Sequence, residues 1–220
     1  MDYSRVLNLY KPVGPTSHDM VYEVRRALGI KKVGHAGTLD PFAEGVLLIL
    51  VGKATKRQME FMKMEKEYVA EIFLGAVSDT DDRMGAIEER RCERVDVEEV
   101  KKSLDLFVGE IDQVPPSYSA VKIKGRKAYD IARKGGVVKL KSKRVVVYGI
   151  ELLEYVWPIV KIKVVCGKGT YIRSLARDVG EKLGCGAYVK NLIRTRVGDF
   201  DINDSIRVED LKKLAKNIKF

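Results

Sequence analysis

Residues 34–45 read GHAGTLDPFAEG and lead directly into VLLILV at residues 46–51. Six consecutive apolar residues bounded by glycines predict a strand that is buried on both faces. The three glycines of the first part predict a loop whose backbone can come close to a bulky ligand. Asp40 lies in that loop, just before the predicted strand, where a rigid neighbour can hold a carboxylate in place for chemistry.

Two local alternatives stay open for this stretch. Asp40-Pro41 is also a common helix opening, with Asp as the N-cap and Pro at the first helical position. His35 is one of only two histidines in the chain, and a lone histidine is more often a structural group than a catalyst. Asp40 and His35 are therefore candidates for chemistry, each with a structural alternative.

The bulk composition predicts a globular protein. The chain has 220 residues, 45% hydrophobic and 33% charged, enough for one large domain or a domain with an appendage. No apolar run approaches the roughly 18 to 20 residues that cross a bilayer, and the N-terminus lacks the apolar segment of a signal peptide. The three cysteines, Cys92, Cys166 and Cys185, show no C-x-x-C spacing. We expect reduced thiols, no zinc site and a cytoplasmic location.

The positive charge of the chain is concentrated in one segment. The net charge is +10, and the segment Lys122–Arg144 holds ten Lys or Arg residues with a single acidic residue, Asp130. This segment therefore carries +9 and leaves +1 for the rest of the chain. Such a distribution predicts a surface that binds a polyanion, with a merely solvated loop as the alternative. A short helix is predicted inside the segment, around residues 127–134.

The other predicted elements indicate the α+β class. Strands are predicted at residues 6–10, 68–74, 144–155 and 159–166 and near 197–200. Helices are predicted after the N-cap residues Ser17, Asp96 and Thr170, and also at 55–64, near 187–194 and at 208–216. Because strands and helices do not alternate as repeated βα units, we expect a mixed sheet with helices packed on it.

Two side chains stand out within these elements. Tyr68 shares its predicted strand face with apolar residues, a placement typical of a core tyrosine. Arg173 falls in the first turn of the helix from Thr170, where the helix dipole disfavours a cation. Arg173 is therefore expected to have a specific anionic partner.

Taken together, four short motifs of the chain resemble those of the TruB family of tRNA pseudouridine synthases, in the same order. They are GHAGTLDP at residues 34–41, KEY at 66–68, QVPPSYSA at 113–120 and GTYIRSL at 169–175. The resemblance runs from Lys11-Pro12 to about Phe200, nearly the whole chain. CGKG at residues 166–169 and Tyr118 are closer to the bacterial tRNA branch than to its guide-RNA-dependent relatives.

The resemblance implies an RNA isomerase. In this family the C1′–N1 bond of a uridine is broken, the base is turned over, and it is rejoined through C5 to give pseudouridine. Nothing is oxidised or hydrolysed, so no cofactor and no metal are expected. The resemblance makes Asp40 the nucleophile and Tyr68 a stacking partner of the base and candidate proton acceptor. It makes Arg173 the partner that keeps Asp40 ionised and oriented.

The resemblance also implies the substrate, the T-loop uridine of tRNA (conventionally position 55), flipped out of its stack. Tyr171 and Leu192 would line the pocket, and His35 would hold the RNA loop open. The substrate-binding residues expected on this basis are His35, Tyr171, Leu192, Lys11, Lys124, Arg126 and Lys127. The T-arm stem-loop of tRNA is the expected partner, with no membrane and no obligate protein partner.

For domain organisation, the resemblance implies one catalytic domain over residues 1–220. Its central sheet is expected to be largely antiparallel, with an RNA-clasping insertion at about 122–144. The small C-terminal RNA-binding (PUA-like) domain that members of the family usually carry is expected to be absent. Two other functions stay open: a guide-RNA-dependent synthase subunit, and a non-catalytic RNA-binding protein in which Asp40, Tyr68 and Arg173 are incidental.

Overall fold

A computed structural model describes residues 4–119, 122–123, 126–127, 140–211 and 213 of the chain. The strands are β1 Ser4–Lys11, β2 Val33–Ala36, β3 Glu44–Gly52, β4 Lys66–Leu74, β5 Ala76–Ser78, β6 Ile87–Glu89, β7 Gly109–Gln113, β8 Lys122–Ile123, β9 Arg126–Lys127, β10 Lys143–Val156, β11 Ile159–Cys166, β12 Ala187–Val197 and β13 Phe200–Asp201. The α-helices are α1 Ser17–Leu28, α2 Gln58–Lys63, α3 Val97–Asp105 and α4 Ile172–Lys182, and short 3₁₀ turns cover Lys53–Arg57, Ile202–Asp204 and Val208–Asp210. Within the described ranges, no helix is both long and apolar enough to cross a bilayer.

Nine of the strands form one sheet, with the main order β1-β3-β12-β4-β11-β10-β7. The pairs β1–β3, β2–β3, β7–β10, β10–β11 and β12–β13 are antiparallel. The pair β3–β12 is parallel. These pairings confirm the predicted α+β class with a mixed, largely antiparallel sheet.

By the packing of its Cα atoms the chain forms two compact units. The first unit consists of Met1–Tyr68 and Leu192–Phe220, and the second of Val69–Asn191. Strand β3 lies at the centre of the first unit, and residues 46–51 are at most 1% exposed. One face of β3 packs in a cluster that includes Leu47, Ile49, Val51, Leu7, Leu9, Met20, Val21 and Val24. The other face packs with Ala36, Phe61 and Val197. The prediction of a strand buried on both faces is confirmed.

The second unit is built on the β10–β11 pair. Val160, Ile162 and Val164 of β11 are fully buried, while Lys161 and Lys163 between them are half-exposed, as the predicted alternation requires. Lys163 lies opposite Glu151 of β10 and forms an ion pair with it. The turn between the two strands contains a cis peptide bond at Trp157-Pro158. Helix α4 contributes a second buried face to this unit.

The second unit also joins two cysteines that are 93 residues apart. Cys92 and Cys185 form a disulfide, with their Cα atoms 5.2 Å apart, and Cys166 is a free, buried thiol. This differs from the expectation of three reduced thiols. The sequence could not indicate the pair, because only the fold brings the loop after β6 next to the end of α4.

The main wrong prediction of secondary structure concerns residues 187–194. They were expected to form a short helix, but they lie in strand β12. Residues 193 and 194 pair in parallel with Glu44 and Gly45 of β3, and β12 lies between β3 and β4 in the sheet, so strand partners satisfy the backbone of this segment. The strand expected near residues 197–200 is instead the turn from β12 into β13.

Asp96 caps α3 as predicted, whereas the N-caps of two other helices differ from the predicted residue by one position. Thr16 rather than Ser17 caps α1, in a capping box with Asp19. Tyr171 rather than Thr170 is the N-cap of α4, without a side-chain cap. Of the helix predicted at 208–216, only a turn at Val208–Asp210 and the positions 211 and 213 are described. The helix predicted at 127–134 lies outside the described residues, except for position 127 in β9.

The register of β3 against β12 leads to a stability prediction. Gly45 lies opposite Arg194 with φ of +108°, and a Cβ there would lie 2.2 Å from the Arg194 carbonyl oxygen. Gly45→Ala is expected to lower the free energy of unfolding by about 2 to 4 kcal/mol, from the left-handed conformation and the clash together. Urea unfolding of the purified protein measures this.

Gly14→Ala is the matched control. Gly14 has nearly the same φ, +110°, but no described atom lies within 4 Å of its Cβ position. This variant keeps the backbone strain and lacks the clash, so it should cost about 1 to 2 kcal/mol. If both variants lose the same unfolding free energy, the close approach of β12 is not what requires a glycine at position 45.

Candidate active site

Asp40 lies on a turn that runs straight into β3. Residues 38–43, all of which the structure describes, contain no helix. The backbone amide of Ala43 donates to the Asp40 carbonyl at 3.1 Å, and β3 begins at Glu44. The helix-opening alternative is therefore wrong. The predicted loop is confirmed for residues 37–43, whereas residues 34–36 belong to strand β2 and residues 44–45 to strand β3. We use the name Asp40 loop for residues 37–46, which comprise this turn and the first three residues of β3.

Ser17 fixes the residue before Asp40. Its hydroxyl donates to the Leu39 carbonyl at 2.9 Å and accepts from the Leu39 amide at 2.8 Å. On the other side of Asp40, the Gly14 amide donates to the Pro41 carbonyl at 2.8 Å. The backbone is thus held on both sides of the carboxylate-bearing residue. This role also explains why Ser17 does not cap α1.

Lys11, at the end of β1, is buried beneath the same loop. It is 0% exposed, and its ammonium donates to the carbonyls of Ala43 at 2.6 Å, Pro12 at 3.0 Å and Pro41 at 3.5 Å. Burial lowers the pKa of Lys11 to about 8, and the charge of Asp40 is the main opposing effect. Lys11 therefore lies close enough to the Asp40 carboxylate for the two charges to interact. Substrate binding by Lys11 stays a prediction.

The lowered pKa of Lys11 predicts how stability depends on pH. Between its folded value of about 8 and its ordinary value of 10.5, the unfolded state binds more protons than the folded state. The contribution of Lys11 to the unfolding free energy should therefore rise with pH across this window, by about 2 to 3 kcal/mol.

Urea unfolding of the parent and of Lys11→Met, from pH 7 to pH 10, isolates this contribution as a difference. The unfolding free energy of the parent minus that of Lys11→Met should be constant below pH 8 and should increase above it. Lys190→Met, at an exposed lysine, is the control and should give no such rise. A difference that falls above pH 8 would contradict the prediction.

Arg194 of β12 is a second buried cation at the Asp40 loop. It is 1% exposed, and its guanidinium donates to the Val46 carbonyl at 2.7 Å and to the Gly37 carbonyl at 3.1 Å. Sequence reasoning missed this residue. Its segment was expected to be a helix, and nothing in the local pattern marks a buried arginine.

His35 lies in β2, opposite Ile49 of β3. Burial, followed by the positive charges of Arg194 and His18, lowers the pKa of His35, so its ring is neutral at neutral pH. The ring nitrogen Nδ1 finds no hydrogen-bond partner among the described residues. Its backbone carbonyl accepts from Gln58 Nε2 at 2.8 Å, which ties β2 to α2.

Tyr68 and Leu192 are both largely buried. Tyr68 is 9% exposed on the inner face of β4, where every second residue from Lys66 to Leu74 is buried. Its placement among the apolar positions of the strand is confirmed. Leu192 is 7% exposed and lies in β12, two residues before Arg194.

In the second unit, Arg173 lies in the first turn of α4 and is 4% exposed. Its guanidinium lies 3.3 Å from the carboxylate of Asp82 and donates to the carbonyls of Thr80 at 2.9 Å and Tyr118 at 3.0 Å. The expectation of an anionic partner is confirmed for Asp82, which sequence reasoning missed. The signal was the acidic cluster DTDD at residues 79–82. Pairing of Arg173 with Asp40 stays a prediction.

A second ion pair lies one helical turn further along α4. Arg177 donates to the carboxylate of Asp81 at 2.8 Å and to the carbonyl of Val114 at 2.9 Å. Burial raises the pKa of Asp81 to about 6, despite the opposing charges of Arg177 and Arg173. Helix α4 thereby holds both the loop at 79–82 and the loop at 114–118.

Tyr171 is fixed at the start of α4, where its backbone amide donates to the side-chain oxygen of Gln113 at 2.8 Å. Gln113 belongs to the QVPPSYSA motif and is buried. Two motifs that the sequence showed separately therefore meet in the second unit.

The basic segment is described only in part. Lys122–Ile123 and Arg126–Lys127 pair as two short antiparallel strands. Lys124 lies outside the described residues, and of Arg126 and Lys127 only the strand is described. Lys141, Lys143 and Arg144, at the other end of the segment, are exposed.

Comparison with protein families identifies two matching regions. Residues 25–172 match the TruB family pseudouridylate synthase N-terminal domain, and residues 173–219 match the tRNA pseudouridylate synthase B C-terminal domain. The chain is 45% identical over 215 residues to a tRNA pseudouridine synthase B of Endomicrobium trichonymphae, covering 97% of this chain and 94% of that protein. It is 50% identical to its counterpart in Phocaeicola vulgatus, covering 93% and 90% of the two chains.

Solved structures show the same fold. The chain superimposes on a Cbf5-Nop10-Gar1 complex with a TM-score of 0.76 and 34% identity, and on an archaeal box H/ACA sRNP Nop10-Cbf5 complex with a TM-score of 0.72 and 31% identity. The matches cover 96% and 97% of this chain but only 54% of each solved chain, so it spans about half their length. On the two family matches and these identities, the chain belongs to the TruB family of pseudouridylate synthases.

Proposed function

We propose that this protein isomerises the T-loop uridine of tRNA, position 55, to pseudouridine, with Asp40 as the nucleophile. The observation that carries the proposal is the restraint of the Asp40 loop. Through buried hydrogen bonds, Ser17 holds Leu39, the residue before Asp40, and Lys11 holds Ala43, three residues after it. A nucleophile held by a rigid frame is what a reaction at one atom of a flipped nucleotide requires.

In the proposed reaction the C1′–N1 bond breaks and a C1′–C5 bond forms. Asp40 supplies the carboxylate that forms a covalent bond with the uridine, and this bond breaks again as the product forms, which restores the free carboxylate. The proton on C5 is then lost, and Tyr68 is the proposed acceptor and stacking partner of the base. N1 gains a proton, so the atoms of substrate and product balance without a cofactor.

Arg173 is proposed to orient Asp40 and to keep it ionised. A guanidinium beside a carboxylate favours its charged form, and the fork geometry of arginine fixes direction as well as charge. Asp82, together with the carbonyls of Thr80 and Tyr118, sets the direction of that fork. We therefore add Asp82 to the proposed site as the residue that orients Arg173.

The uridine must leave its stack to reach Asp40. Tyr171 and Leu192 are proposed to line the pocket, and His35, as a neutral ring, to hold the RNA loop open. The basic segment, with Lys124, Arg126 and Lys127, is proposed to bind phosphates. Because the proposed substrate is tRNA, we expect the protein to act in the cytoplasm.

The similarity to Cbf5 assemblies makes a guide-RNA-dependent subunit the second candidate function. A single experiment separates the two, namely incubation of the purified chain alone with a T-arm stem-loop that is tritiated at uridine C5. Under our proposal tritium is released to water, and the new pseudouridine maps to the T-loop position. The same hairpin with cytidine at that position is the control and should release no tritium above background.

Two results would redirect the proposal. Activity that appears only with a guide RNA and protein partners would favour the second candidate. Tight hairpin binding without tritium release under any condition would favour a non-catalytic RNA-binding protein.

A further inference from the structure

We propose that Arg194 is a positioning residue, whose buried guanidinium clasps the two ends of the Asp40 loop and sets the place of the nucleophile. This inference rests on the proposed function, because it gives Arg194 its role through Asp40. It concerns the first unit alone, to which β12 from Leu192 onward and the whole loop belong.

The clasp is formed by one side chain with two carbonyl partners. Arg194 donates through Nε to Val46 and through Nη2 to Gly37, so it bonds to the first and last residues of the loop. Holding both ends with one rigid, planar group removes freedom from the segment between them. Asp40 lies within that segment, three residues after Gly37.

The backbone of Arg194 reinforces the clasp. It pairs in register with Gly45, and the approach is so close that a Cβ at Gly45 would lie 2.2 Å from the Arg194 carbonyl oxygen. At the other end, the Cβ position of Gly37 lies 3.5 Å from Arg194 Nη1, and Gly37 has φ of +83°. A glycine at position 45 therefore permits the close approach of the Arg194 backbone, and Gly37 lies in ordinary contact with the Arg194 guanidinium.

The charge of Arg194 is also directed at the loop. Among the described residues, its guanidinium bonds to carbonyls and forms no ion pair with a carboxylate. Its positive charge lowers the pKa of Lys11 and of His35, so its field extends through the loop region. The same field favours the ionised form of a carboxylate, the form that a nucleophile requires.

The test compares three variants in single-turnover assays on the T-arm stem-loop. Arg194→Met keeps most of the stem but removes the fork and the charge. Arg194→Lys keeps the charge but loses the fork. Arg196→Met removes an arginine from the same strand whose bonds go instead to Glu65 and the Gly198 carbonyl.

We expect Arg194→Met to slow the single-turnover rate constant by about 100-fold, the effect of a displacement near 1 Å. The rate constant of Arg194→Lys should lie between that of Arg194→Met and that of the parent. Dissociation constants for the hairpin should stay within about threefold of the parent, because Arg194 is buried and the loss is one of positioning. Arg196→Met should keep a rate constant within about threefold of the parent.

Hydrogen–deuterium exchange gives a readout that activity alone does not. Amides of residues 37–46 should exchange faster in both Arg194 variants, while those of β10 and β11 stay as in the parent. A folded Arg194→Met protein with a parent-like rate constant would overturn the inference. If Arg194→Met does not fold, Arg194→Lys decides: a parent-like rate constant with parent-like exchange in the loop would overturn it too.

Asp40→Asn, assayed in parallel, separates this inference from the proposed function. An active Asp40→Asn protein would mean that the proposed nucleophile is wrong. An inactive Asp40→Asn protein beside parent-like Arg194 variants would refute the clasp alone.

Discussion

Asp40→Asn is expected to abolish pseudouridine formation, with a rate constant at least about 10⁴-fold below the parent, because the nucleophilic oxygen is lost. The fold should survive the change. The amide has nearly the size of the carboxylate, and the restraints on residues 39, 41 and 43 involve backbone groups that the substitution leaves in place. RNA binding should also survive, because phosphate contacts supply most of the affinity.

Tritium release from the T-arm stem-loop measures the loss, and a filter-binding titration of the same RNA measures the affinity. Asp105→Asn makes the same chemical change at an exposed site near the end of α3 and should be fully active. Mass spectrometry must exclude deamidation of the variant back to Asp. Turnover by the verified Asp40→Asn protein above a no-enzyme control would show that Asp40 is not the nucleophile.

Tyr68→Phe is expected to slow product formation by about 10² to 10⁴-fold, the range that proton transfer by a positioned side chain contributes. The ring and its stacking face remain, so hairpin affinity should be close to that of the parent. If Tyr68 were only a core residue, loss of its hydroxyl would change stability and leave turnover intact.

Tyr188→Phe is the matched control for Tyr68. Tyr188 is another buried strand tyrosine, stacked on Phe73 with ring centroids 5.3 Å apart. Removing its hydroxyl should leave the single-turnover rate within about threefold of the parent. A Tyr68→Phe protein that turns over like this control would make the hydroxyl dispensable and leave Tyr68 as a stacking surface.

The local sequence pattern was sufficient to predict those strands in which the order of apolar and polar residues indicates which faces are buried. The run at 46–51 predicted a strand buried on both faces, and the alternation at 160–164 predicted one buried face of β11. Both are confirmed. The order of the four motifs was sufficient for the family, because it needs no knowledge of where the motifs lie in space.

The local sequence pattern gave a wrong secondary structure where pairing with a strand distant in sequence determines it. Residues 187–194 carry apolar side chains with a spacing that also fits a helix, yet pairing with β3 makes them part of a strand. For the same reason the burial of Arg194 was not predicted, because Arg194 is buried by its position in strand β12. Ser17 was likewise assigned to a helix cap, because its partner Leu39 is 22 residues away.

The sequence by itself determined the class of the fold and the family, and it predicted Asp40, Tyr68 and Arg173 as side chains of the site. Periodic burial and ordered motifs are properties of neighbouring residues, and these can be seen along the chain. Only the tertiary structure decided what holds those side chains. Lys11, Ser17 and Arg194 around Asp40, and Asp82 beside Arg173, come together through contacts between residues distant in sequence. Such contacts depend on the path of the backbone in space, which no local pattern of residues specifies.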